Sequence, residues 1–277
     1  MSSSHSPAVQ SFRRLHESGC FVIPNPWDVG SAKLLVQLGF QALATTSSGF
    51  AWTVGKADNN ITLDQALDHL RTMSANVDVP VNADFEGGFA EMPAGVAANV
   101  AVVAATGVAG LSIEDSTGDA SAPLYDFSLA VDRIAAARSA IDASRTGVLL
   151  TGRSEGFIVG RPDLAETIRR LTAFAEAGAD CLYAPGLKTI DDIREVVAAV
   201  RPKPVNVLVS SDFTTVAELR DAGVRRISVG GALARAAWTG FFAAAGEIAE
   251  KGTFASFAAA VPGSRLDAAF TEGSSTT

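Results

Sequence analysis

The sequence predicts an α/β protein folded as a closed (β/α)8 barrel of the TIM type. Three observations carry that prediction. About eight short apolar runs recur along the chain, a helical pattern follows each, and glycines stand where helices should stop, at Gly39, Gly107, Gly178 and Gly223. Strict alternation of strand and helix implies a parallel sheet, and eight such units within 277 residues imply closure into a barrel. An open doubly wound sheet is the rival, but no G-x-G-x-x-G follows the first strand.

In chain order, residues 1–8 read as a disordered Ser-rich tail, followed by a short opening helix over 12–18. The first strand, 21–25, ends in Asn25-Pro26-Trp27-Asp28, and Asp28 is a suitable N-cap for a helix over 29–38. The second strand, 41–45, ends in Thr46-Ser47-Ser48-Gly49. A longer excursion passes Trp52 and Asp58 before Thr62 opens a helix with Leu63, Ala66, Leu67, Leu70 and Met73 at helical spacing. The third strand climbs through Val79 and Val81 to Asp84-Phe85-Glu86-Gly87-Gly88; if it continues that far, alternation puts both acids on one side. Helices are expected over 94–106, 129–143, 163–177 and 190–200, and strands over 108–113, 147–150, 181–184 and 205–209. A short helix over 216–221, a strand over 226–229 and a last helical region over 232–250 complete the alternation, with 253–260 after it. Residues 9–265 thus form one domain, with no low-complexity linker inside it, and 266–277 a flexible tail.

The bulk properties narrow the function. A net charge of −8 and a pI near 4.9 argue against nucleic acid or an anionic membrane as partner. Cys20 and Cys181 are too few for a disulfide framework, the N-terminus lacks a basic-then-apolar signal, and no apolar run is long enough to span a bilayer. A cytoplasmic protein is expected. His5, His16 and His69 all lie away from the strand ends, which argues against a Ser-His-Asp or Cys-His hydrolase and against a zinc site.

Barrel active sites form where strands end and βα loops begin. Those positions hold Asn25, Trp27 and Asp28, then Ser47, Ser48 and Gly49, then Asp84, Glu86, Glu114, Arg153, Glu155 and Asn206. Two acids on one side of a strand repel each other unless a cation or shared proton settles them, and Mg²⁺ prefers such carboxylate oxygens and water. Asp84, Glu86 and Glu114 therefore suit a divalent ion. Arg153 offers a fork for a carboxylate or phosphoryl group, unless it pairs with Glu155. Ser47, Ser48 and the Gly49 amide suit the other end of a small anion, unless they only form a turn.

The motifs Pro24-Asn25-Pro26-Trp27-Asp28, Thr46-Ser47-Ser48-Gly49, Val81-Asn82-Ala83-Asp84-Phe85-Glu86-Gly87-Gly88, Gly110-Leu111-Ser112-Ile113-Glu114-Asp115 and Gly152-Arg153-Ser154-Glu155 occur in this order. With them the chain, over residues 12–265, resembles the isocitrate lyase/phosphoenolpyruvate mutase superfamily. The resemblance implies a (β/α)8 barrel, Mg²⁺ or Mn²⁺, a small anionic keto-acid substrate, and a homo-oligomer (dimer or tetramer) whose last helix is exchanged between subunits. It implies Asp84 as direct metal ligand, with Glu86 and Glu114 acting through metal-bound water. Arg153, Glu114 and Asp58 are the implied catalytic residues. Trp27, Ser47, Ser48, Gly49, Arg153 and Asn206 are the implied substrate contacts.

Departures limit which reaction is expected. The lyases of the superfamily carry Lys-Lys/Arg-Cys-Gly-His in a mobile loop after Glu-Asp, whereas this chain has Ser116-Thr117-Gly118-Asp119-Ala120-Ser121-Ala122-Pro123. The lyases' Phe-Pro-Glu becomes Ala184-Pro185-Gly186. The mutases' loop Lys and Asn are missing too. The expectation is a Mg²⁺-dependent lyase cleaving a C–C bond of a small α-keto or 2-hydroxy (di)carboxylate through a pyruvate-type enolate, with oxaloacetate decarboxylase/hydrolase-like chemistry. The alternatives are C–P chemistry of the phosphoenolpyruvate mutase or phosphonopyruvate hydrolase kind, and a keto-acid-binding barrel with little turnover.

Overall fold

The computed structural model describes residues 5–271. Eight parallel strands run β1 (Phe21–Ile23), β2 (Leu43–Ala44), β3 (Val81–Asp84), β4 (Gly110–Glu114), β5 (Leu149–Arg153), β6 (Cys181–Tyr183), β7 (Val205–Leu208) and β8 (Arg226–Ser228). Their order in the sheet is β1-β8-β7-β6-β5-β4-β3-β2. Ala44 N–H donates to Pro24 O at 3.1 Å across the remaining β1–β2 seam, so the ring closes. Asn25 secures the same place: its Nδ2 donates to Thr45 O at 2.8 Å, while its Oδ1 accepts from Val229 and Gly230 N–H at 2.9 and 2.8 Å.

Helices occupy the outer layer: α1 (Pro7–Glu17), α2 (Val29–Gln37), α3 (Ser47–Thr53), α4 (Leu63–Ala75), α5 (Pro93–Val103) and α6 (Phe127–Ser144). They continue as α7 (Leu164–Glu176), α8 (Ile190–Ala199), α9 (Val216–Asp221), α10 (Ala232–Lys251) and α11 (Gly263–Thr271). The expected caps are present. Asp28 accepts from Ser31 N–H at 2.7 Å, and Thr62 and Gln65 form a reciprocal capping box. Each such cap stabilises its helix by about 1 kcal/mol.

Alternation along β4 shows how the layers separate. Leu111 and Ile113 face outward into the main apolar core with Val96, Val100, Ile134 and Ile141, whereas Ser112 lines the barrel interior. Barrel interiors are usually filled by bulky branched residues. Here the inward positions include Asn82, Ser112, Asn206 and Ser228, so the centre is polar and a cavity remains. Below it, α1 closes the barrel with Phe12 and His16, whose rings pack edge to face at 4.6 Å, His16 lying a further 5.1 Å from Phe21. Gly110 makes this closure possible: a Cβ there would stand 2.6 Å from the Phe12 ring and 2.6 Å from Asn82 Oδ1.

The structure departs from the sequence reading in four places. Helix α1 begins at Pro7, because Ser6 Oγ caps it by accepting from Val9 N–H at 3.2 Å, so part of the expected tail is helical. Ser47, Ser48 and Gly49 open helix α3 rather than a turn, with Thr46 as N-cap. Strand β3 stops at Asp84 and Glu86 has φ +47°, so alternation does not place the two acids. Residues 263–271, assigned in part to the flexible tail, form α11, which packs on α2; the expected tail beyond residue 271 lies outside the described residues.

Candidate active site

The C-terminal ends of β3, β4 and β5 bring one arginine and three acids together. Arg153 Nη1 lies 3.1 Å from Asp84 Oδ1 and 3.1 Å from Glu114 Oε2, and its Nε donates to Glu155 Oε1. Strand register is the reason, since Glu114 is the direct β-ladder neighbour of Arg153. The guanidinium also stands 5.2 Å from the centre of the Tyr183 ring. Burial alone would lower the Arg153 pKa, but Glu114 and Glu155 hold it well above its usual range. Asp84 Oδ2 meanwhile accepts from both the N–H and the Oγ of Ser47, each at 2.9 Å, at the first turn of α3. The carboxylate is thereby fixed between a helix N-terminus and a guanidinium.

Behind this group, Asp115 braces Glu155. It accepts from Glu155 N–H at 2.7 Å and Ser154 Oγ at 3.3 Å, and pairs with buried Arg170 at 3.1 Å. The sequence reading passed over Asp115 and Arg170, although Asp115 directly follows Glu114 in the same motif. The other residues it missed are Tyr183 and Arg226, apolar-run and strand-start positions that carry no sequence signal of a site.

Ser47, Ser48, Asp58, Asp84, Arg153 and Asn206 line one cavity of about 180 Å³. Glu86 and Glu114 instead line an adjacent cleft with Asn59, Thr117 and Tyr125. Trp27 and Gly49 pack against each other beside the cavity: a Cβ at position 49 would lie 3.0 Å from Trp27 Cβ and 2.6 Å from Thr46 Cγ2. The Gly49 N–H donates to Thr46 Oγ1 at 3.2 Å, completing the α3 cap. Asn206 accepts from Arg226 Nε at 2.9 Å and donates to Ser228 Oγ at 2.9 Å.

Burial, and then the charges of Asp84 and Asp58, push the Glu86 carboxyl up to about 8. Burial likewise raises Glu114 well above the carboxylate range, against the opposing pull of Arg153. Glu86 therefore holds its proton at neutral pH. Glu86 Oε1 is buried without a hydrogen-bond partner. Among the described residues no three His, Cys, Asp or Glu side chains stand close enough to enclose a metal ion. The oxygen-rich set would nevertheless suit a hydrated Mg²⁺ or Mn²⁺, with Asp84 as the direct ligand and Glu86 and Glu114 reached through water. Such an ion keeps several waters, prefers oxygen donors, and would settle both the repulsion among these acids and the unpartnered Glu86 oxygen.

A sign follows for the metal-free protein. Because the folded pKa of Glu86 lies above its ordinary 4.5, its contribution to stability is present below that value and lost as pH rises through about 8. The Glu86→Gln variant is expected to lose less thermal stability than the parent between pH 6 and 9, measured with chelator present. Parallel melting curves for the two proteins would show that Glu86 is ionised throughout.

A family profile for phosphoenolpyruvate phosphomutase matches residues 12–249. An uncharacterized Mycobacterium tuberculosis protein is 33% identical over 222 residues, covering 79% of this chain and 81% of its own. The 2-methylisocitrate lyase of Escherichia coli K12 is 29% identical over 234 residues, covering 80% of this chain and 77% of the lyase. An oxaloacetate decarboxylase of Pseudomonas putida GB-1 is 28% identical over 202 residues, covering 70% and 68%. Among solved structures, a Burkholderia cenocepacia J2315 protein provisionally assigned as a lyase/mutase superposes with a TM-score of 0.92 at 46% identity, covering 95% of this chain and 96% of that one. The 2,3-dimethylmalate lyase structure, itself a phosphoenolpyruvate mutase/isocitrate lyase superfamily member, gives 0.86 at 25% identity, covering 98% and 97%. The profile match spans most of the chain and the acid–arginine cluster sits at the barrel mouth. The chain therefore belongs to the phosphoenolpyruvate phosphomutase family of the isocitrate lyase/phosphoenolpyruvate mutase superfamily, a group of carbon–carbon lyases and mutases.

Proposed function

We propose that the protein is a Mg²⁺-dependent lyase that cleaves a C–C bond of a small α-keto or 2-hydroxy dicarboxylate through a pyruvate-type enolate, in the manner of an oxaloacetate decarboxylase or hydrolase. The observation that carries this reading is the cavity inside the barrel in which Asp84, Arg153, Ser47 and Ser48 converge. Bound at Asp84, Mg²⁺ would polarise the keto oxygen and stabilise enolate charge. The chain's own residues do the rest. Ser47 and Arg153 hold the Asp84 carboxylate in one orientation. Ser48 offers a hydroxyl to the substrate anion, and Asp58 adds negative charge near Asp84.

The loop after β4 supports a reaction that asks little of a gating acid. It is a small hairpin closed on itself, with Ser116 bridged to Leu124, Thr117 N–H donating to Pro123 O at 3.1 Å and Thr117 Oγ1 to Ala122 O at 2.6 Å. Over 116–126 it contains no Cys, Lys or His. Glu86, protonated at neutral pH, places an acid beside the cavity without one.

The deciding experiment is turnover of oxaloacetate, with phosphonopyruvate, α-ketoglutarate and pyruvate as comparators, in Mg²⁺ and in chelator. Mg²⁺-dependent conversion of oxaloacetate is expected. The family profile favours C–P chemistry as the second reading, and phosphate release or rearrangement of phosphonopyruvate alone would establish it instead. Binding of keto acids without any conversion would leave a binding barrel.

The homo-oligomer, a dimer or tetramer, is proposed on a separate observation. Helix α10 and the segment after it leave Phe241, Phe242, Phe254 and Phe257 exposed, an apolar face suited to a second copy of the chain. A monomeric mass by sedimentation equilibrium would refute it. No helix among the described residues is long and apolar enough to cross a membrane.

A further inference from the structure

The cavity does not stop at the cluster of acids. Its floor is Arg226, which opens β8, is 3% exposed, and lines the same space as Asp84 and Arg153. The Arg226 Nε donates to Asn206 Oδ1 at 2.9 Å, Nη2 to Thr151 Oγ1 at 3.0 Å, and Nη1 lies 3.4 Å from His16 Nε2. All three partners are neutral. Burial first, and then the charge of Arg226 itself, depress the His16 pKa to about 3, so the ring stays uncharged. None of the ion pairs among the described residues includes Arg226.

The contrast with Arg153 is one of charge. Arg153 faces three carboxylates from its own protein, whereas Arg226 faces dipoles only. Guanidinium groups are rarely so deeply buried without an anion, because neutral dipoles replace hydration but not the counter-charge. A second observation points the same way. Asn82, 5% exposed, lines this lower chamber, and its Oδ1 has no donor. Neighbouring Ser112 is small, and below it the Phe12 ring fills the space that Gly110 leaves, closing the chamber. The chamber thus combines an unbalanced positive charge with an acceptor awaiting a hydroxyl or water.

We propose that this chamber is a second carboxylate subsite: Arg226 balances the distal carboxylate of a dianionic 2-keto or 2-hydroxy acid, and Asn82 Oδ1 accepts from the substrate hydroxyl or an ordered water. The proposal rests on the keto-acid reading above and gives it a substrate class. The first carboxylate sits at the Asp84 end and the second points down the barrel axis. Arg153, surrounded by its own acids, positions Asp84 rather than selecting the substrate. Dicarboxylates are then preferred over monocarboxylates of the same shape.

Malate and lactate test this, since both are stable 2-hydroxy acids and differ by one carboxylate. Calorimetric titration in Mg²⁺ should show the parent protein binding malate about tenfold or more tightly than lactate. In Asn206→Asp, a near-isosteric change beside Arg226 Nε, the protein supplies its own counter-charge. The expected results are a higher Tm and loss of the malate preference over lactate. Arg226→Met should erase the preference as well, and Arg226→Lys should retain much of it. If Arg226→Met does not fold, Asn206→Asp decides. A stabilised Asn206→Asp protein that keeps its malate preference overturns the proposal and leaves Arg226 a structural residue. Equal binding of malate and lactate by the parent also overturns it, while leaving the keto-acid reading intact. Failure of the parent to bind or convert any of these acids removes both.

Discussion

Asp84→Ala is expected to abolish Mg²⁺-dependent ligand binding and to lower turnover on the order of 10²–10³-fold or more, with the barrel still folded. Asp84 stands at the end of β3, outside the apolar core, so its removal leaves the packing of Val81 and Ala83 untouched. What is lost is the one carboxylate that Ser47 and Arg153 jointly orient. Ser47 loses an acceptor for its N–H and hydroxyl, but both lie near enough to the cavity for water to replace it. Circular dichroism and a Tm close to the parent's would show the fold, and calorimetry with and without chelator the binding. Metal-dependent binding that survives in the folded variant would sink the assignment of the metal end of the site.

Arg153→Met should have the largest effect on stability. It leaves Asp84, Glu114 and Glu155 without their shared cation, and the last two are deeply buried. Removing one partner of a buried ion pair costs about 3–5 kcal/mol, more than the pair itself contributes, because the remaining charges are stranded. The loss must depend on pH. Burial raises the Glu114 and Glu155 pKa values above the ordinary 4.5 and Arg153 opposes that rise, so without Arg153 both go higher. A group whose folded pKa is raised stabilises the fold below its unfolded pKa, and that stability is lost as pH climbs through the folded one. The gap in Tm between parent and variant should therefore be widest at pH 8 and narrow toward pH 5. A gap that does not change with pH would mean that lost packing over Tyr183, rather than charge, accounts for the damage.

The barrel was legible because its signals are local. Asp28 and Thr62 cap helices through residues three positions away, and alternation within β4 is visible in five consecutive residues. Where local signals conflict, the sequence misled: Thr46-Ser47-Ser48-Gly49 has the composition of a turn, yet Thr46 uses its hydroxyl to start a helix. Ser6-Pro7 is likewise a helix start hidden in a Ser-rich tail. Strand ends told which residues crowd the mouth, and Asp84, Arg153 and Ser47 do meet there. They could not tell which acid faces which base, because that depends on register between strands. Glu114 lies opposite Arg153 and Asn206 opposite Arg226 only once β4 is set against β5 and β7 against β8. The buried arginine of β8 was therefore invisible until the sheet closed.

The seam beside β1 has a consequence for how the protein comes to have a site at all. Asn25 joins the start of the chain to backbone amides 204 and 205 residues later, and β1 pairs with β8 over a similar span. Contacts of such sequence separation are the slowest to form, since the intervening chain must be ordered before they give any return. A chain emerging from the ribosome can hold Asp84, Glu114 and Arg153 on three adjacent strands long before β8 exists. Without β8 that chain has neither the Arg226 floor nor the Gly230 rim, and its acids face open solvent. The cavity is thus a late acquisition of the whole ring, and an incomplete chain carries the reactive groups without an enclosure in which to use them.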